Sequence, residues 1–275
     1  MKVLVVGGGA REHAIVWKLK QSPRISEVFV APGNAGTAAI ARNLEIAAND
    51  IPGLVAAAES KRVNLTVVGP EGPLADGIVD RFKERKLAIF GPDKGAARIE
   101  SSKSFAREVM IKAGVPCAKG EIFDSLVEAR KYVERQRFPI VVKADGLASG
   151  KGVVVAQSRQ EAMDALGDIM EAKMFGRAGD RVVIEECLRG REVSLLAFTD
   201  GQTVVPMVPA CDHKRVFAGD TGPNTGGMGS YSPPLVFGEA MIESVRRTIM
   251  EPVIAGLASA GATYSGVLYA GLMMT

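Results

Sequence analysis

Read for its hydrophobic and polar positions, the chain alternates short apolar runs with stretches of helical period. Lys2–Val6, Glu27–Ala31, Leu65–Val68 and Leu87–Phe90 are strand-length apolar runs, each closed by a glycine or proline. Helical patterns lie between them: Ile15, Val16 and Leu19 share one face, and Ile78, Val79 and Phe82 share another within Leu74–Lys86. Strands alternating with helices predict an α/β unit with a Rossmann-like parallel sheet, whose ligands sit beyond the strands' carboxyl ends.

From Ser101 the pattern changes. A helix is expected from Ser101-Ser102-Lys103 to Ala113, then a strand at Gly120–Asp124 and a helix near Ser125–Gln136. Strands Ile140–Lys143 and Val153–Val155, a helix near Ser158–Lys173 and a strand Arg181–Glu186 complete a small α+β unit. Arg191–Thr199 and Thr203–Val208 read as a hairpin around Asp200-Gly201, and Gly266–Leu272 as a later strand. Asp212–Arg215 and Gly219–Pro233 are too polar and glycine-rich to pack as an element, yet too long for a connector. They are expected to form a binding loop or lid.

Composition narrows the class. At 275 residues, 47% hydrophobic and 24% charged, the chain has soluble globular composition and room for about two domains. No run is long and apolar enough to span a bilayer, and the chain enters a strand at once, so neither a membrane nor a signal peptide is expected. Cys117, Cys187 and Cys211 are odd in number and far apart, which fits a reduced cytoplasm better than disulfides or zinc. A net charge of +3 is too small to argue for nucleic acid; cations concentrated in glycine loops suit small phosphorylated ligands.

Three stretches carry candidate chemistry. Pro139–Val155 reads strand, glycine loop, strand, with Lys143 closing the first strand and Gly150-Lys151-Gly152 in the loop. Bare amides between two lysines make a cradle for a polyphosphate, although an ordinary flexible hairpin fits the pattern too. It is not a Walker A loop: Gly152 takes the Ser/Thr position and a strand follows instead of a helix. Gly7-Gly8-Gly9-Ala10-Arg11-Glu12 turns from a strand into a helix, a general anion site with Arg11 available for a phosphate. A dinucleotide is disfavoured, because Glu12 replaces the third glycine and the second strand ends in Ala31-Pro32 without an acidic residue. Pro32–Thr37 adds a second glycine turn with Thr37 as a helix cap. Lys103, close to a helix N-terminus, hints at a phosphate nearby, although an exposed lysine fits equally well.

The lysine–glycine hairpin followed by Val182–Glu192, a strand ending in two glutamates, resembles the ATP-grasp enzymes. Together with Gly7–His13, Pro32–Thr37, Asp212–Arg215, Gly222–Gly229 and Gly266–Leu272, it resembles the phosphoribosylamine–glycine ligase family along the whole chain. Ala10 and Phe217-Ala218 depart from the family's more glycine-rich pattern.

The resemblance implies an N-terminal Rossmann-like substrate domain over 1–102, an ATP-grasp small subdomain or lid over 103–190, and an incomplete large subdomain over 191–275. It also implies an ATP-dependent ligation of glycine to 5-phosphoribosylamine in purine biosynthesis. On that pattern Lys103, Lys143, Gly150, Lys151 and Gly152 hold the phosphates of ATP, Glu185 and the Cys187 backbone meet adenine, and Glu192 meets the ribose. Gly9, Arg11, Asn34, Gly36 and Thr37 face the sugar phosphate, and Asp212, His213, Lys214 and Arg215 the reacting groups. Magnesium or manganese is implied as well, with its protein ligands expected beyond Thr275, where the strand's pattern gives no sign of stopping. Read this way, the chain is a piece expected to bind ATP without completing the ligation at a useful rate. A different ATP-grasp carboxylate–amine ligase and a nucleotide-binding module without turnover are the alternatives.

Overall fold

The computed structural model describes residues 1–148, 151–219 and 221–275, without the side chains of Pro223 and Asn224. Contacts divide the chain into two compact units, Met1–Ala97 with Ala262–Gly266, and Arg98–Gly261 with Val267–Thr275.

The first unit is built on five parallel strands, β1 (Lys2–Gly7), β2 (Glu27–Pro32), β3 (Arg42–Asn43), β4 (Leu65–Val68) and β5 (Ile89–Phe90), in the order β3-β2-β1-β4-β5. Its helices are α1 (Ala10–Lys20), α2 (Ala35–Ala38), α3 (Ile51–Ser60), α4 (Glu71–Asp76) and α5 (Ile78–Glu84). Successive strand residues point to opposite faces, so Leu4, Val6, Phe29 and Ala31 pack with Leu54 of α3 and Ile78 and Phe82 of α5. Val3, Val5, Val28 and Val30 pack on the other face with Val16 of α1. Burial on both faces explains why these strands read as continuous apolar runs instead of alternating ones. The pattern Leu74–Lys86 is not one helix: Gly77, at φ +92°, closes α4 in a left-handed turn before α5 begins. The cap of α2 is Asn34, whose side chain accepts from the Thr37 amide while the Thr37 hydroxyl accepts from the Asn34 amide. Thr37 thus completes the cap from the third helical position.

The second unit begins with α6 (Arg98–Ser101) and α7 (Lys103–Lys112), the latter capped by the Ser102 hydroxyl. Strands β6 (Gly120–Phe123), β7 (Ile140–Ala144), β8 (Val153–Ala156) and β9 (Val182–Glu186) form an antiparallel sheet in the order β6-β9-β7-β8. One face packs on α8 (Leu126–Glu134) and α9 (Arg159–Leu166) through Ile140, Val142, Ala144, Val182 and Ile184. A π turn, Gly167–Glu171, continues α9.

Beyond it, β10 (Arg191–Thr199), β11 (Val204–Pro206) and β14 (Gly266–Met274) make a three-stranded sheet, and β12 (Cys211–Phe217) pairs with β13 (Thr221–Tyr231). Helices α10 (Glu239–Val245) and α11 (Glu251–Ser259) precede β14. Alternate residues Val193, Leu195 and Ala197 of β10 are buried. The stretch expected to be a loop, Asp212–Pro233, is thus a hairpin over most of its length. Ladder hydrogen bonds need only backbone, and the glycine-rich strand is fitted by register shifts on either side of Arg215. No helix among the described residues is long and apolar enough to cross a membrane.

Candidate functional site

In the second unit the pleat decides which side chains meet. Ile140, Val142 and Ala144 of β7 turn into the core, so Val141 and Lys143 face the other way. On β9 the buried Val182 and Ile184 likewise leave Glu185 on that outer face. The register sets Val141 opposite Glu185 and Lys143 opposite Val183, which makes Lys143 and Glu185 a diagonal pair within side-chain reach. The Lys143 ammonium contacts Glu185 Oε1. Glu185 Oε2 lies 3.4 Å from Nη1 of Arg107, a buried residue of α7 whose guanidinium also donates to the carbonyls of Ala118 and Gly120, each at 2.7 Å.

Lys103 stands one turn before Arg107 on the same helix face and donates to the Gly146 carbonyl at 2.8 Å. The anion near Lys103 is Asp145: its carboxylate accepts from the Ser104 amide at 3.0 Å, the Ser104 hydroxyl at 2.6 Å and the Ser102 hydroxyl at 3.3 Å. An acidic group there complements the helix N-terminus. Arg181 donates to the Ser104 hydroxyl at 3.2 Å and completes the cluster. Burial holds Lys103 below the usual lysine range, with Asp145 and then Glu100 opposing. Burial first, then Lys103 and Arg107, pushes Lys143 down to about 8. The touching Glu185 carboxylate works the other way, so at neutral pH Lys143 is mainly an ammonium.

Lys151 and Gly152 follow in the turn into β8, with the Lys151 amide donating to the Ala148 carbonyl and Gly152 accepting from Ala144. Gly150 lies outside the described residues. Cys187 lies just past β9, whose end is tied down by two bonds, Glu186 N–H to the Lys119 carbonyl and Lys119 N–H to Glu186 Oε1.

A second cluster joins β10 to β12. Lys214 Nζ lies 2.6 Å from Glu192 Oε2 and 3.6 Å from Asp212 Oδ1. Burial would lower Lys214, but the hydrogen bond and charge of Glu192, then Tyr269 and Asp212, outweigh it and leave the amine raised. His213 and Arg215, on the opposite face of β12, do not join them. His213 stacks on Tyr231 with centroids 5.9 Å apart, and Arg215 donates to the Gly222 carbonyl at 2.6 Å.

In the first unit Gly9, Arg11, Asn34, Gly36 and Thr37 gather at the carboxyl ends of β1 and β2. Asn34 Nδ2 donates to the carbonyls of Gly8 at 3.0 Å and Gly9 at 3.3 Å. A side chain at Gly36 would meet the His13 ring. Strand order reverses between β1 and β4, the place where such sheets open a ligand crevice. Arg11 bridges it, bonding the Gly69 carbonyl and lying 3.7 Å from Glu71. The buried Glu12 accepts from the Gly9 amide at 2.6 Å, and a Cβ at Gly7 or Gly69 would collide with it. Glu12 therefore occupies the space that bare glycines leave, and already places one anion at the start of α1.

Arg107, Asp145, Ser104 and Arg181 were not singled out by the sequence. Arg107 had one signal, its spacing of four from Lys103. Among the described residues no group of three His, Cys, Asp or Glu could hold a metal ion. The described residues thus offer no protein ligand set for the implied metal.

Comparison with known proteins adds to this geometry. Two family models match, the phosphoribosylglycinamide synthetase N domain over residues 1–100 and the phosphoribosylglycinamide synthetase ATP-grasp (A) domain over residues 101–275. The curated phosphoribosylamine–glycine ligase of Halalkalibacterium halodurans is 52% identical over all of this chain and 64% of its own length. That of a Nostoc species is 51% identical, with 65% of its length covered. The chain thus spans just under two thirds of these relatives. The crystal structure of phosphoribosylamine–glycine ligase from Thermotoga maritima matches with a TM-score of 0.84 at 32% identity, over 99% of this chain and 65% of that one. A biotin carboxylase–β,γ-ATP complex from Campylobacter jejuni matches with a TM-score of 0.72 at 17% identity, over 99% of this chain and 62% of that one. At that identity the likeness concerns the fold alone.

Proposed function

Because the chain belongs to the phosphoribosylglycinamide synthetase family, we propose that it is the ATP-binding and substrate-binding part of an ATP-dependent carbon–nitrogen ligase that joins glycine to 5-phosphoribosylamine. The observation that carries this is the convergence of Lys143 and Arg107 on the Glu185 carboxylate beside the glycine hairpin, with Lys103 close enough to add its charge to that of Lys143. An excess of partly desolvated cations over their counter-ion suits a polyanion, which displaces the internal partner. Lys103, Lys143 and the Gly150–Gly152 loop hold the phosphates of ATP, Glu185 and the Cys187 backbone the adenine, and Glu192 the ribose hydroxyls. Residues 103–190 act as the lid and 191–275 as part of the larger subdomain.

The glycine carboxylate attacks the γ-phosphorus, forming glycyl phosphate as the bond to ADP breaks. The amine of 5-phosphoribosylamine then attacks the glycyl carbonyl, loses a proton and expels phosphate, leaving an amide. Such transfers depend on positioning and charge neutralisation more than on covalent help from the protein. Asp212, His213, Lys214 and Arg215 serve the reacting groups. Arg11, with Gly9, Asn34, Gly36 and Thr37, serves the sugar phosphate. The net charge of +3 and three free cysteines support a small-molecule role in a reducing cytoplasm. Assay of phosphate release with ATP, glycine and 5-phosphoribosylamine, on the chain extended to the length of its curated relatives, tests the proposal: release that requires both co-substrates is expected. Release with a different amine or carboxylate, and none with these, would assign the chain to another ligation.

A further inference from the structure

Glu185 is held from two sides. Lys143 occupies Oε1 and Arg107 approaches Oε2, while the Arg107 guanidinium is itself fixed by the carbonyls of Ala118 and Gly120. The side chains of Arg107 and Glu185 are 7% and 11% exposed, so neither charge is relieved by water. Strand β6 is pressed against β9 at this point, since a Cβ at Gly120 would run into the Ile184 carbonyl and the Glu185 backbone. The arginine therefore has fixed anchors, and the carboxylate fixed neighbours. Lys143 is the mobile member, its side chain 30% exposed on a flexible stem.

If Lys143 turns to a phosphate, Glu185 loses one cation in a setting where an unpaired carboxylate is costly. We propose that Arg107 is a positioning residue that retains Glu185 by Oε2 when Lys143 exchanges Oε1 for the nucleotide's phosphates. The inference rests on the ATP-binding reading above and adds a residue that the reading does not use. Among the described residues, the charged groups facing Lys143 are Glu185 from β9 and Lys103 and Arg107 from α7, and its register partner on β8 is Val153. Arg107 accordingly has a second effect on the same switch: its charge disfavours the Lys143 ammonium and loosens the resting pair.

The test is titration of the 275-residue chain with ATP by calorimetry between pH 6.5 and 9.5, as wild type, R107M, R107K, E185Q and R107M/E185Q, with folding checked by circular dichroism. R107M is expected to weaken ATP by about tenfold, and to move the alkaline midpoint of binding upward by about one unit as a neighbouring cation is lost. R107K keeps a cation and should keep the wild-type midpoint. E185Q removes the carboxylate that Arg107 retains, together with its adenine contact, so adding R107M should weaken ATP binding much less in the E185Q background than in the wild type. An unmoved midpoint in R107M, or an equal loss on adding R107M in the two backgrounds, overturns the inference while wild-type binding stands. A wild type that does not bind ATP at all overturns the ATP reading and this inference with it.

Discussion

Lys143 holds its proton weakly because it is largely out of water and faces two other cations, and this governs how it meets an anion. With its folded value down to about 8 against an ordinary 10.5, the unfolded chain binds more protons between those limits. This group therefore costs stability in full below pH 8, and the cost is relieved as pH rises toward 10.5. Binding runs the other way. A phosphate needs the ammonium, so above pH 8 ATP must bring a proton with it, and its affinity should fall about tenfold per pH unit. Calorimetric titrations from pH 7 to 9.5 check this, and K143M should flatten the slope. An affinity independent of pH in the wild type would remove Lys143 from the phosphate site. Lysine at the close of a strand beside a glycine loop was legible in the sequence. Its partner Arg107 was not, because a buried guanidinium bonded to carbonyls looks, in sequence, like any exposed arginine on a helix.

At the scale of elements, the sheets were readable where side chains determine them. β1 and β2 announce themselves because both faces are buried, and β7, β8 and β9 because Val and Ile fill them, whereas the two-residue β3, Arg42–Asn43, carries no apolar signal and was not read. The β12–β13 hairpin was not readable: its pairing is carried by backbone, and glycines such as Gly222 and Gly227, at φ +85° and +123°, give no strand signal. The split at Gly77 was likewise hidden, since the apolar face of α5 continues the period through the break. The functional face of β9 depends on its buried face. Ile184, fully enclosed, anchors the strand that carries Glu185. I184A should cost about 2–5 kcal/mol, whereas V127A, on the exposed side of α8, should change stability by less than about 0.5 kcal/mol. Urea unfolding of the two variants separates them; equal effects would mean that the β9 core does not hold this sheet.

For the whole molecule, the proposed function places the two phosphorylated ligands in different compact units, the sugar phosphate in the unit holding Arg11 and the nucleotide in the unit holding Lys143. In the chain extended to the length of its relatives, R11A should therefore raise the apparent KM for 5-phosphoribosylamine several-fold, since one charge-assisted contact is lost, and leave ATP affinity unchanged. Loss of ATP binding in R11A would contradict that division. The family's order along the chain was legible from motifs spread over both units, while the internal counter-ions Glu12, Asp145 and Glu185 emerge only from tertiary structure. Glu12 fills the space beside Gly7 and Gly69, and Glu185 holds Lys143, so on the proposed function an anionic ligand must compete with these internal carboxylates. The most direct measurement of the central claim is calorimetric titration of ATP into the wild type and K143A at neutral pH. Binding to the wild type is expected, with a loss of about a hundredfold in the variant. Equal affinity in the two would contradict it.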